Sequence, residues 1–209
     1  MTEEPQSTAE TIEPSHIAGH PVLDFVNTVA WRTDDSRQAE RVPDAAAWTR
    51  WATTAGLTAT ALPDEAALRA LREVLTAALD ALADGTVPPD QVWDALRDAT
   101  LTARERAGLP RAFPLSLVPA TLCDELALQA EELLSDAQAL SRVRRCEGPG
   151  CGWFFLDRSR NGARRWCSSG DCGNRDRARR HYARTKRAGR PRHRAGSPAP
   201  SGVRTADTG

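Results

Sequence analysis

Long apolar runs are missing from this 209-residue chain. A transmembrane helix needs about 20 consecutive apolar residues, so no membrane role is expected. Histidine is scarce, at four residues. The two in the first 141 residues are His16 and His20. No nucleophile elbow, Walker loop or glycine-rich dinucleotide fingerprint occurs. No catalytic residue is therefore assigned, and an enzyme is not expected. Net charge is absent too, with 28 basic against 28 acidic residues.

That zero hides a division. Residues 1–141 carry 10 Lys and Arg against 23 Asp and Glu, whereas residues 142–194 carry 17 against 4. Two opposed blocks of this kind point to two domains with different partners. The acidic block is long enough for its own apolar core. The basic block of about fifty residues is too short for a large one and calls for a staple. Residues 189–209, rich in Gly, Pro, Ser, Ala and Arg without periodicity, read as a disordered tail.

The staple is visible in the cysteines. Cys146, Cys151, Cys167 and Cys172 form C-x4-C-x15-C-x4-C inside the basic block. Two close thiol pairs about fifteen residues apart suit a tetrahedral structural zinc site. Each pair flanks a turn, Gly148-Pro149-Gly150 or Ser168-Ser169-Gly170-Asp171. Two disulfides are the rival reading, and they require an oxidising compartment. The acidic start Met1-Thr2-Glu3-Glu4-Pro5 has neither a charged leader nor an apolar segment, so a cytoplasmic protein is expected. Cys123, on an apolar helical pattern, reads as a small core residue.

The acidic block reads as a mainly α domain with room for a small β element. His20 to Trp31 suits a helix or a short strand. Pro43-Asp44 opens a helix that Gly56 ends, and Pro63-Asp64-Glu65 opens one that Gly85 closes. A shorter helix follows Pro88-Pro89-Asp90. Pro110 to Pro119 alternates enough for one or two short strands, and one long helix is expected from Thr121 to Leu140 with Ala137 and Leu140 inward. Asp24 and Asn27 are candidate ligand contacts, with capping or backbone satisfaction as the rival role. Trp31, Trp48, Trp51 and Trp93 either line a pocket or fill the core.

In the basic block, aromatic stretches on either side of Asn161-Gly162 predict a hairpin of Trp153–Asp157 with Ala163–Trp166. The proline-free run from Asn174 to Ala188 predicts a helix. Knuckle, hairpin, knuckle and helix make a small α+β finger of treble-clef type around one zinc. On the helix, Arg175, Arg177, Arg179, Arg180, Arg184 and Lys186 repel one another unless a polyanion neutralises them. DNA is the expected partner, and Arg158, Arg160, Arg164 and Arg165 are expected to clamp the flanking backbone. An RNA or an acidic protein of the transcription machinery is the alternative partner. The finger is expected to have a core separate from that of the acidic domain.

Cys172-Gly173-Asn174-Arg175, with Phe155 to Cys167 before it, resembles the CGNR zinc-finger family. Gly19-His20-Pro21-Val22-Leu23-Asp24-Phe25-Val26-Asn27-Thr28 resembles the opening of the ABATE domain that precedes this finger. The resemblance implies a cytoplasmic stress-related transcription regulator, nucleoid-associated when bound to DNA. The division expected is an ABATE-like domain over 1–141, a CGNR finger over 142–188 and the tail. The N-terminal domain is expected to sense a small-molecule effector or to form a homodimer.

Overall fold

The computed structural model describes residues 16–58 and 64–188, so the tail expected over 189–209 lies outside the described residues. Helix α1 spans Pro21–Val26. Proline in a first turn gives up an N–H that would have had no partner. The His20 ring caps the helix by accepting from the Val22 N–H at 3.2 Å. Helix α2, Ala45–Thr54, starts on the Asp44 carboxylate, and α3, Glu65–Asp84, starts on Asp64. Each carboxylate accepts an orphan first-turn N–H. Helix α4 covers Asp90–Arg106 and is longer than expected.

The long helix expected over 121–140 is two helices, α5 over Leu122–Ser135 and α6 over Ala137–Leu140. Asp136 breaks it. Its carboxylate accepts from the Gln138 and Ala139 N–H groups at 2.8 and 3.0 Å, which starts a new helix in a new direction. Ala137 consequently faces solvent and Leu140 is half-buried.

The small β element lies partly in the His20 to Trp31 segment and not in residues 110–119. Strands β1, Val29–Ala30, and β2, Ala39–Glu40, pair antiparallel directly after α1. Residues 110–119 form no strand; Gly108 and Val118 make a single bridge, and Phe113 and Leu115 point into solvent. Pro110, Pro114 and Pro119 lack the N–H that a ladder needs.

In the basic block, β3, Val143–Arg145, pairs antiparallel with β4, Phe154–Leu156, around the first cysteine pair. The expected second strand at 163–166 is absent. The Asp157 carboxylate instead accepts from the Ser159 and Arg164 N–H groups at 2.9 and 3.0 Å. This folds the Asn161-Gly162 segment into a loop. Helix α7, Cys172–Ala188, follows the second pair, completing a small α+β finger beside a mainly helical N-terminal part.

The two parts share one core, which corrects the expectation of separate ones. A single cluster of buried side chains runs from Ala18 and α1 through α2, α3 and α5 to Phe154, Phe155 and the four finger cysteines. Phe25, Trp48 and Trp51 pack together at centroid distances of 5.6 to 5.8 Å. Trp93 stands half-exposed on α4. The join is also hydrogen-bonded. The Asn27 side chain donates to the Phe154 carbonyl at 2.8 Å and accepts from the Phe154 N–H at 2.9 Å. The Leu156 N–H donates to the Ala18 carbonyl at 2.7 Å, and the Trp153 indole N–H donates to the Val29 carbonyl at 2.7 Å.

Two stability predictions follow from this join. Asn27→Ala leaves a buried N–H and C=O of Phe154 unpaired and is expected to cost about 2–3 kcal/mol in urea unfolding. Separate transitions for the two parts, with no loss in the N-terminal one, would contradict a shared core. The buried Asp24 carboxyl is pushed up from 3.8 to about 6 by desolvation, against the opposing N–H bonds from Ala18 and Ile17. Between those values the folded protein keeps a proton that the unfolded chain has released. Stability is therefore expected to fall as pH rises from about 4 to about 6, by roughly 3 kcal/mol from this group. Asp24→Asn should flatten that fall in unfolding curves measured across the window.

Candidate metal centre and basic helix

The first cysteine pair sits on the turn between β3 and β4, and the second sits on the turn that opens α7. All four are buried, and their sulfurs lie within 4.8 Å of one another. Cys151 and Cys167 sulfurs are 3.7 Å apart, and those of Cys167 and Cys172 are 3.6 Å apart. A disulfide requires about 2.05 Å. All four are free thiols, so the rival disulfide reading is not realised. A tetrahedron with metal–sulfur arms of about 2.3 Å has edges of about 3.8 Å. The four side chains therefore fit around a single tetrahedral cation.

Hydrogen bonds from the Cys151 and Cys167 thiols, with backbone N–H groups of Cys167 and Gly148 behind them, hold Cys146 well below an ordinary thiol. The same contact pushes the Cys151 thiol up to about 12, and Cys167 is raised further by both neighbours. Cys123 lies apart on α5, half-buried against the edge of the core and not within it, and burial raises its thiol to about 11.

The expected nucleic-acid contacts divide into two groups. Arg164 is spent inside the finger: it donates to the Trp166 carbonyl at 2.9 Å and to the Cys167 carbonyl, and it stacks on Phe155 at 4.3 Å. Arg158 donates to the Gly19 carbonyl at 2.8 Å. Arg165 pairs with Glu147 and lies 4.5 Å from the Trp166 ring centre. Arg175 donates to the Cys172 sulfur at 2.8 Å and stacks on Trp31 at 4.5 Å.

Arg160, Arg177, Arg179, Arg180, Arg184 and Lys186 are exposed, as are Arg158, Arg165 and Arg175 despite their internal bonds. Within the described side chains of α7, only Cys172, Gly173 and Asp176 are buried, and residues 177–186 are exposed on every side. Asp176 accepts from Arg179 and Arg180 at 2.9 and 2.8 Å. Arg177 reaches back to the Ser169 carbonyl at 3.0 Å. The helix is anchored by its first turn and projects from the body.

The tetrapeptide Cys172-Gly173-Asn174-Arg175 is consumed by this anchoring. A side chain at Gly173 would meet the Trp166 ring at 2.8 Å. Asn174 donates to the Gly170 carbonyl across the turn.

Asp24 and Asn27, expected as ligand contacts, are buried and bonded within the protein, Asp24 to the Ala18 N–H at 2.9 Å and Asn27 to Phe154. Sequence reasoning missed Arg32, Asp80 and Arg145. Asp80 accepts from Arg32 at 3.0 Å and from Arg145 at 3.1 Å, tying β3 to α3. Isolated charges of opposite sign 48 and 65 residues apart give no signal in the sequence.

Residues 142–185 match the family model of the CGNR zinc finger. Residues 19–137 match the ABATE family model, described as "Putative stress-induced transcription regulator". Neither is an enzyme family. No curated protein matches the chain. The match over residues 19–137 covers more than half of the chain, and with a CGNR finger following it the protein belongs to the ABATE family.

Proposed function

We propose that this chain is a DNA-binding transcription regulator in which one zinc ion, held by Cys146, Cys151, Cys167 and Cys172, stiffens the finger that presents α7. Zinc with four thiolate ligands has no open position, so it supplies a structural crosslink. The protein's own residues do the recognition. A reducing cytoplasm suits the unbonded thiols.

The observation that carries the reading is the bare, basic α7. A helix with no apolar face gains little from its own protein and needs another source of stabilisation. Phosphates supply it, and arginine forks also suit guanine edges in the major groove. Arg160 on the loop and the exposed cations of α7 are the proposed DNA contacts. Arg158, Arg164, Arg165 and Arg175 support the finger, each bonded within the protein. Asp24 and Asn27 are spent internally, so no effector site is proposed on them. A homodimer would double the DNA site, and the exposed Phe113 and Leu115 offer apolar surface for its contact.

Purified full-length chain is expected to carry one zinc per molecule by elemental analysis. Because the core is shared, Cys→Ser at any of the four positions should lower the melting of the whole chain, not of the finger alone. Protein free of zinc, or two intact disulfides by mass spectrometry, would refute this. In titrations with duplex DNA, about six phosphate contacts give a log–log salt slope of roughly −5. Removing Arg184 or Lys186 should make the slope shallower by about 0.9 each. Preference for RNA over duplex, or binding that ignores salt, would move the reading to an adaptor of RNA or protein.

A further inference from the structure

Among the described residues, Trp31 is the one non-glycine with positive φ, at 56°. A bulky side chain in the left-handed region is strained, and such strain persists only where the surroundings over-determine it. Here they do. The Arg32 N–H donates to the Cys151 carbonyl at 3.1 Å, and the Thr33 N–H donates to the Gly150 carbonyl at 3.3 Å. The Arg32 guanidinium donates to the Gly152 carbonyl at 3.0 Å. Gly152 itself has φ 65°, and a side chain there would meet Thr33 at 2.7 Å. Residues 31–33 thus form a turn, closed by the Asp34 N–H on the Trp31 carbonyl, that is pinned to the first cysteine turn.

This docking aims the Trp31 ring at α7. The Arg175 guanidinium lies 4.5 Å from the ring centre, and that of Arg37 lies 3.8 Å away. Arg175 also donates to the Cys172 sulfur at 2.8 Å. A continuous path therefore runs from the N-terminal domain through Trp31 and Arg175 to the residue that opens α7. Since the described side chains of α7 from Arg177 onward are exposed, a contact at Arg175 has long leverage over the projecting end. At a rise of 1.5 Å per residue, Lys186 sits roughly 16 Å further along the axis.

We propose that Trp31 and Arg175 form a latch by which the N-terminal domain sets the direction of α7. The proposal rests on the reading of α7 as the DNA-contacting helix. Arg175 is thereby a positioning residue, not a phosphate contact. Neutral Trp31, outside the finger, should influence DNA binding as strongly as Arg175 does.

The test compares full-length wild type with Trp31→Gly, Trp31→Phe, Arg175→Ala and the Trp31→Gly/Arg175→Ala pair. Glycine accepts the positive φ, so Trp31→Gly removes the ring while preserving the loop backbone. Amide exchange is followed in the free protein, and duplex DNA binding is titrated at several salt concentrations. Trp31→Gly and Arg175→Ala should each speed exchange over residues 173–180 and weaken binding by about tenfold, as expected for a partly buried cation–π contact.

Their salt slopes should match wild type, the double variant should be no worse than either single one, and Trp31→Phe should behave as wild type. The latch is refuted if Trp31→Gly changes neither readout. It is equally refuted if exchange rises throughout the chain, or if Arg175→Ala alone makes the slope shallower by about 0.9. If wild type binds no duplex, the DNA reading fails separately, and exchange over residues 173–180 alone decides the latch.

Discussion

The paired hydrogen bonds between the Asn27 side chain and the Phe154 backbone are the constraint on which the rest of the structure depends. Phe154 lies on β4, whose backbone pairs with β3 on one side. On the other side, Asn27 offers one donor and one acceptor, as a neighbouring strand would. Buried backbone groups without partners are costly, so this amide lets a finger strand enter an otherwise helical core. Phe154 and Phe155 are then fully buried. A finger of about fifty residues, too small for a sizeable core of its own, borrows one.

The division of charge gains a structural meaning from that arrangement. At the join, Arg145 of the finger is matched by Asp80 and Asp84, and Arg32 of the N-terminal part shares Asp80 and donates to the Gly152 carbonyl of the finger. Basic residues facing away, on α7, have few partners among the described residues beyond Asp176 and the turn before the helix. The attraction between blocks is spent near the interface, and the surplus of positive charge is displaced to the projecting helix. There it is free to meet a polyanion.

The tetrapeptide Cys172-Gly173-Asn174-Arg175 takes its meaning from the same geometry. One residue belongs to the thiol cluster, one admits the Trp166 ring, one ties the preceding turn, and one reaches Trp31. All four hold the base of α7. Sequence readout, if α7 performs it, falls to the residues that follow.

Local chemistry was legible in the sequence. The thiol spacing located the cluster, Asp44 and Asp64 marked helix starts, and Gly56 and Gly85 marked helix ends, because each acts on backbone groups a few residues away. The basic, proline-free run after Cys172 likewise announced α7. Pairing was not legible. Phe154 and Phe155 carried a strand pattern, but nothing in it distinguished Val143–Arg145 from Ala163–Trp166 as partner. Asp157 decided this by taking up the N–H groups of Ser159 and Arg164. The roles of the arginines were equally hidden. Residue type makes all of them phosphate binders, and only the fold sets Arg164 against carbonyls and Arg175 against a thiol and an indole. The sequence by itself determined where the capped helices α2 and α3 start and end and where the four thiols gather. Which strands pair was decided by the Asp157 loop, whether the cores merge by contacts such as Asn27 with Phe154 more than a hundred residues apart, and which charges stay free by ion pairs such as Arg145 with Asp80; only the tertiary structure brings these groups together.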